Sequence, residues 1–204
     1  MRPRTVVPAE IVAAARECFV SLGVRDVTVE DVARTARVSR ATVYRTVGAR
    51  PELVRAVMMD EATALFRNVA AEMASATSAA NLIGSGVAAA LATVRDRPVL
   101  RRFAGPDLEY VLPVVTIGAA PLVAGGVALL VPILEAARGR SVIAEEADLV
   151  HIAEELVRYV LGLLHTPSLT AELAAPETGG ARAARLFAPL LARSDAPEVT
   201  FAAT

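Results

Sequence analysis

Lysine and tryptophan are absent from this chain of 204 residues, and all 21 of its basic side chains are arginine. Arginine suits bidentate contacts with phosphate better than lysine does, and nothing else in the sequence accounts for the choice. Cysteine is nearly absent. The single thiol, Cys18, permits neither an internal disulfide nor a cysteine metal cluster, and on an apolar stripe it reads as a small core residue. The first residues lack the charged-then-apolar layout of a secretion signal, so a reducing, cytoplasmic setting is expected. Histidine is scarce as well: His151 and His165 stand fourteen residues apart. No Ser-x-Gly elbow, Gly-rich phosphate loop or paired-ligand spacing accompanies them. The expectation is a protein that is not an enzyme and needs no metal and no cofactor.

What is present is apolar bulk, with 54% hydrophobic residues and a net charge of −1. A chain of this length buries a sizeable core without staples. The near-zero net charge hides an asymmetry. Residues 1–56 carry ten Arg against six acids, a net of +4, whereas residues 57–204 carry eleven Arg against sixteen acids, a net of −5. A small basic module in front of a larger, acidic, very apolar one is the expected organisation.

The basic module reads as short helices with clear punctuation. In PAEIVAAARECFVSLG, Ile11, Ala15, Phe19 and Leu22 recur at helical spacing and Gly23 is a natural stop. In TVEDVARTA, Thr28 and Asp31 have the spacing of a capping box, and Val29, Val32, Ala33 and Ala36 share one face. After Arg37, Ser39 is a good N-cap for the stretch RATVYRTV, and Val38 and Val43 sit at the positions of a hydrophobic staple.

On that last helix Val43 and Val47 point one way. At about 100° per residue, Ala41 and Arg45 fall opposite them, flanked by Thr42 and Tyr44. A small residue, a hydroxyl, a phenol and a guanidinium suit a DNA major groove, where Arg reads guanine edges while hydroxyls and helix N-terminal amides bind phosphate. Two short helices joined by a tight turn, over about residues 28–47, have the helix-turn-helix arrangement. An ordinary helical hairpin with a polar solvent face fits the same spacing.

The stretch IVAAARECFVSLGVRDVTVEDVARTARVSRATVYRTVGARPELVRAVM resembles the N-terminal domain of the TetR family of transcriptional repressors over nearly that domain's full length, about a quarter of the chain. The resemblance implies a helix-turn-helix DNA-binding domain over residues 1–56. Its DNA contacts fall on Thr28, Arg40, Ala41, Thr42, Tyr44, Arg45, Thr46 and Arg50. It also implies a helical effector-binding and dimerisation domain over residues 57–204. Three departures stand out. Arg37 occupies the usual glycine of the turn and is expected in a left-handed backbone. Thr46 and Val47 replace the common His-Phe, and Arg50 supplies the charge of the usual lysine.

A fourth helix is expected from Pro51 to about Met73. Beyond it, residues 111–134 form a run of 24 without a charge, VLPVVTIGAAPLVAGGVALLVPIL. Its length would span a bilayer, so a membrane-associated helical protein is the alternative. Pro113, Gly118, Pro121, Gly125, Gly126 and Pro132 divide it more naturally into two helices, each apolar all round and therefore buried, with no membrane partner. The family's C-terminal domain encloses a small-molecule pocket, and position makes Arg102, Tyr110, Thr116 and His151 its candidate polar handles. Two late helices carry surplus apolar surface. Leu149, Leu156 and Val160 on the first, with Phe187 and Leu190 on the second after a loop around Pro176, suit a four-helix homodimer interface, which the resemblance also implies. The expected protein is all-α: an N-terminal three-helix head and a larger helical domain. It binds a palindromic double-stranded DNA operator as a repressor and is released by a small apolar or amphipathic effector. A ligand-binding protein without operator contacts is a further alternative.

Overall fold

The computed structural model describes residues 8–166 and 175–192. Among them the chain is helical, with no strand: α1 (Pro8–Leu22), α2 (Val29–Thr35), α3 (Arg40–Thr46), α4 (Arg50–Met73), α5 (Ala79–Asp96), α6 (Pro98–Phe103), α7 (Leu108–Val115), α8 (Ala120–Gly139), α9 (Leu149–His165) and α10 (Pro176–Ala192). The all-α expectation holds, and α4 ends at the expected Met73. Pro176 opens α10 instead of lying in the loop before it. That position suits proline, whose missing N–H would lack a helical partner there anyway.

The chain forms two compact units, each drawn from two stretches. Unit 1 is Met1–Arg67 with Ala92–Gly125, and unit 2 is Asn68–Leu91 with Gly126–Thr204. The charge asymmetry divides the sequence after Ala56, whereas the compact units divide it by packing and return later stretches to the first unit.

In unit 1, Ile11, Ala15 and Phe19 of α1, Val32 of α2, Val43 of α3 and Leu53 and Val57 of α4 are buried together with Val24 and Val27 of the turn between α1 and α2. Phe103 at the end of α6 joins them, its ring centroid 6.3 Å from that of Phe19 at a tilt of 58°. Such offset aromatic pairs add about 0.5–1.5 kcal/mol beyond the area they bury.

Unit 2 has an almost wholly apolar interior, with Met73, Leu82, Ile83, Leu91, Leu134, Ile143, Leu149, Ile152, Leu156 and Leu191 buried. Backbone approaches backbone where α5 meets α10: a Cβ added to Gly180 would stand 2.5 Å from the Gly84 carbonyl oxygen and 3.0 Å from the Ala88 Cβ. Only glycine fits there.

The charge-free run 111–134 is divided as expected, α7 ending at Val115 and α8 beginning at Ala120. Burial on all sides does not follow. Leu112 and Pro113 of α7 are exposed, as are Ala124, Ala128 and Leu129 of α8. By length and composition α8 suffices to cross a membrane, with mean hydropathy 1.9 over its most apolar window, and 28% of that window is buried within the chain. A helix packed on one side buries a stripe, and the outward half stays open whatever its composition.

Candidate nucleic-acid interface

The second helix of the head is set by its caps. Thr28 accepts the Asp31 amide at 3.2 Å while Asp31 accepts the Thr28 amide at 3.0 Å and its hydroxyl at 2.6 Å, the full reciprocal capping box. These bonds hold the Asp31 carboxyl below its ordinary 3.8, the Thr28 hydroxyl being the largest cause and the Thr28 amide the next. At the other end, Arg37 sits at φ 57, in the left-handed region. The Arg37 amide donates to the Arg34 carbonyl at 3.1 Å and the Val38 amide to the Ala33 carbonyl at 2.9 Å. Those two bonds form a Schellman ending, whose turning residue is usually glycine. The expected left-handed arginine is there, and a non-glycine side chain in that conformation costs about 1–2 kcal/mol.

Ser39 then caps α3, accepting the Thr42 amide at 3.1 Å. Val43 is buried beneath α3 and anchors it to the core. The opposite side carries Arg40, Ala41, Tyr44 and Arg45, all exposed, with Thr42 and Thr46 half-buried at its edges. Among the described residues Arg45 has no carboxylate partner. Arg40 lies 3.6 Å from Glu30, both exposed, a pair too solvated to hold it against a phosphate. The Thr42 hydroxyl lies 2.9 Å from that of Ser39. Of the eight residues expected at DNA, six thus share one short helix, Arg40, Ala41, Tyr44 and Arg45 on its open face and Thr42 and Thr46 at the edges. Thr28 is exposed with its hydroxyl hydrogen already given to Asp31.

Arg50 is placed differently. Its guanidinium carbon lies 4.9 Å from the ring centroid of Tyr110, inside the roughly 6 Å reach of a cation–π contact. Tyr110 was expected in an effector pocket, and in the structure its ring covers a residue of the head.

The other polar handles have local partners or lie open to solvent. Arg102 donates to Asp107 at 2.6 Å. Buried Asp107 also accepts the Val24 amide at 3.3 Å, which ties the α6–α7 turn to the turn after α1. Gly23 leaves the room this needs, since a Cβ there would collide with the Arg102 guanidinium. The Thr116 hydroxyl donates to the Leu112 carbonyl at the exposed end of α7. His151 is exposed in the first turn of α9, in unit 2. Arg102, Tyr110 and Thr116 thus belong to unit 1 and His151 to unit 2.

Sequence reasoning missed the polar centre of unit 1. Glu61 is fully buried, with Arg97 donating to it at 2.5 and 2.9 Å. The Nε of Arg16 stands 2.6 Å away, close enough for an ion pair but not aligned as a hydrogen bond. Arg16 also donates to Asp60. The pairing of Glu61 raises the Arg97 guanidinium above its ordinary value, the hydrogen bond being the main cause. In sequence Asp60-Glu61 looks like the outer face of a helix. Only the tertiary fold, which brings Arg16 of α1 and Arg97 ahead of α6 onto α4, turns one of the two inward.

Of the residues expected at a dimer interface, Leu149 and Leu156 are buried by the chain itself. Val160 and Phe187 are half-buried, and Phe187 meets Tyr159 edge-on at 5.4 Å. Leu190 is 51% exposed and its neighbour Leu186 50%.

A head of three short helices, the third presenting an open polar face, followed by a larger helical domain, defines the helix-turn-helix class of transcription regulators. Comparison with known proteins places it more narrowly. Residues 11–57 match the family model of the bacterial regulatory proteins, tetR family, and no curated sequence matches the chain. The fold is similar to that of the TetR family repressor AlkX from Dietzia sp. strain DQ12-45-1b, implicated in biodegradation of n-alkanes: 22% identity over 93% of this chain and 97% of that one, TM-score 0.73. It is similar also to the transcriptional repressor QsdR of R. erythropolis, with 22% identity, coverage of 95% and 100%, and TM-score 0.67. SmeT, the repressor of the Stenotrophomonas maltophilia multidrug efflux pump SmeDEF, solved with triclosan, matches at 20% identity over 96% and 99%, TM-score 0.58. Residues 11–57 thus match the tetR family model, and the fold of the whole chain is similar to that of solved TetR-family repressors.

Proposed function

We propose that this protein is a cytoplasmic repressor that binds a palindromic operator as a homodimer and releases it when a small apolar or amphipathic effector binds its helical domain. The observation that carries the DNA-binding half is the open face of α3, where Arg45 has no carboxylate partner among the described residues and Ala41 lets the helix approach closely. Arg45 reads a base edge, and Tyr44, Thr42, Thr46 and Arg40 contact phosphate.

The exposed Leu186 and Leu190 of α10 and Val150 of α9 support a homodimer built on these helices, because apolar side chains of that size on adjacent helices gain most from a second copy. The apolar interior of unit 2 supports an apolar effector. The Tyr159 hydroxyl, buried without a hydrogen-bond partner, offers that interior one polar handle. Two relatives point the same way: AlkX is implicated in n-alkane biodegradation and SmeT was solved with triclosan. Helix α4 contributes residues to both units, so it is the path by which an effector changes the separation of two heads on DNA. A coupling of about 1–3 kcal/mol would lower operator affinity roughly 5- to 150-fold.

Recovery of bound DNA from a random-sequence pool tests this directly. A palindrome is expected, and Arg45→Ala should relax preference by about 1–3 kcal/mol at the base it reads. Loss of the Arg45 side chain with no change in the recovered sequences would sink the base-reading role. Leu190→Glu should give a folded monomer in sedimentation, and a variant that stays dimeric would remove this interface. A second reading, a membrane-associated helical protein, rests on the length and apolarity of α8. Protein that stays in solution without detergent argues against it.

A further inference from the structure

Three features of Arg50 bear on the phosphate contact expected of it. Its guanidinium is covered by the Tyr110 ring at 4.9 Å. One of its terminal nitrogens, Nη2, is buried and has no hydrogen-bond partner. It is also the first residue of the 24-residue helix α4, where the positive end of the helix dipole disfavours a cation. The last two features push Arg50 to leave, since an unsatisfied charged donor and an adverse dipole both favour an anion nearby. The first holds it. Tyr110 lies on α7, sixty residues further along the chain, and packs in the same compact unit. Burial, then Glu109, raises its phenol above the ordinary 10.0, and a tyrosine ring is neutral at physiological pH in either case.

We propose that Tyr110 withholds Arg50 from DNA, so that the head binds a duplex with one phosphate contact fewer than its arginines offer while α7 keeps this position. A displacement of α7 that uncovers Arg50 releases a guanidinium beside the reading helix, and the strength of sequence-independent binding rises. Tyr110 is thus a positioning residue for the interface, acting through Arg50 without touching DNA. This rests on the DNA-binding reading above and adds a control to it.

The contact withheld is to phosphate, so a short random-sequence duplex suffices as the probe and no operator is needed. Binding of the full-length protein is measured by fluorescence anisotropy over a series of KCl concentrations, for wild type, Tyr110→Leu, Arg50→Gln and the double variant. Each added phosphate contact steepens the slope of log affinity against log salt by about 0.9. Tyr110→Leu is expected to steepen it by that amount and to bind more tightly at low salt. Arg50→Gln and the double variant should keep the wild-type slope, because the arginine is silent when covered and absent when replaced. Tyr110→Phe keeps the ring face and should also keep the wild-type slope. Should the Leu variant fail to fold by circular dichroism, Tyr110→Thr, at this half-buried position, gives the same readout. Wild type that shows no salt-dependent binding overturns the DNA-binding reading and the proposal together. Wild type that binds while Tyr110→Leu shares its slope, or a steepening that persists in the double variant, overturns the withheld arginine alone.

Discussion

The two compact units are held together by different physics. In unit 1, buried carboxylates join stretches far apart in sequence: Arg16 of α1 and Arg97 before α6 converge on Glu61 of α4, and Asp107, paired locally with Arg102, accepts the Val24 amide. In unit 2 the Glu154–Arg158 pair lies along one exposed helix turn. Helix there meets helix through Leu, Ile and Val and through the glycine contact between α5 and α10. Hydrogen-bonded charges are directional and fix one arrangement of the helices they join, whereas apolar surfaces tolerate sliding and repacking. A reading head needs its helices at fixed angles. A domain proposed to take in a ligand is better served by adaptable packing.

The strongest way to break this comparison is to remove the centre of each unit. Glu61→Ala leaves two guanidiniums facing a void and should cost about 3 kcal/mol in denaturant unfolding, the low end for a broken buried pair. The low end applies because the side chains of Arg16 and Arg97 keep 31% and 37% exposure and can turn to water. A loss below about 1 kcal/mol, the scale of a surface pair, would mean the cluster does not hold unit 1 together. Gly180→Val should cost about 2–3 kcal/mol by overpacking, with Gly180→Ala in between. Equal stability of all three proteins would show that α5 and α10 can separate freely.

Smaller changes sharpen the contrast within the head. Thr28→Ala removes the cap of α2 and should cost about 1 kcal/mol. It also removes the main cause that holds Asp31 below its ordinary 3.8. A carboxyl with a lowered folded value contributes stability above its unfolded value and loses it as pH falls through the folded one. The wild type's advantage over Thr28→Ala should therefore be complete above about pH 5 and shrink below about pH 4. An advantage that stays constant with pH would separate the cap from the ionisation. The smallest expected effect is a gain: Arg37→Gly relieves the left-handed arginine and should stabilise by about 0.5–1 kcal/mol, the strain removed less the added freedom of glycine in the unfolded chain. No gain in melting temperature would mean the turn holds Arg37 without strain.

The head was legible because its signals are local. Thr28 with Asp31, Ser39 ahead of α3, Gly23 after α1 and the opposed positions of Val43 and Arg45 all act within one or two helical turns, where spacing alone determines contact. The left-handed turn at Arg37 followed from a departure from the family's usual glycine. The division of the charge-free run at residues 116–119 followed from its prolines and glycines.

The sequence by itself determined α1 to α4 and the two last helices, the caps of α2 and α3, the polar outer face of α3 and the apolar character of the larger domain, because each depends on residues within a few positions of one another. It left α5 and α6 unread. The tertiary structure alone decided which polar residues are spoken for. Glu61 faces inward while Asp60 faces out, Asp107 reaches the amide of Val24, Tyr110 covers Arg50, and the apolar faces of α7 and α8 are half open. Those outcomes depend on which helix lies over which, and contacts between residues tens of positions apart leave no periodic trace in the chain that makes them.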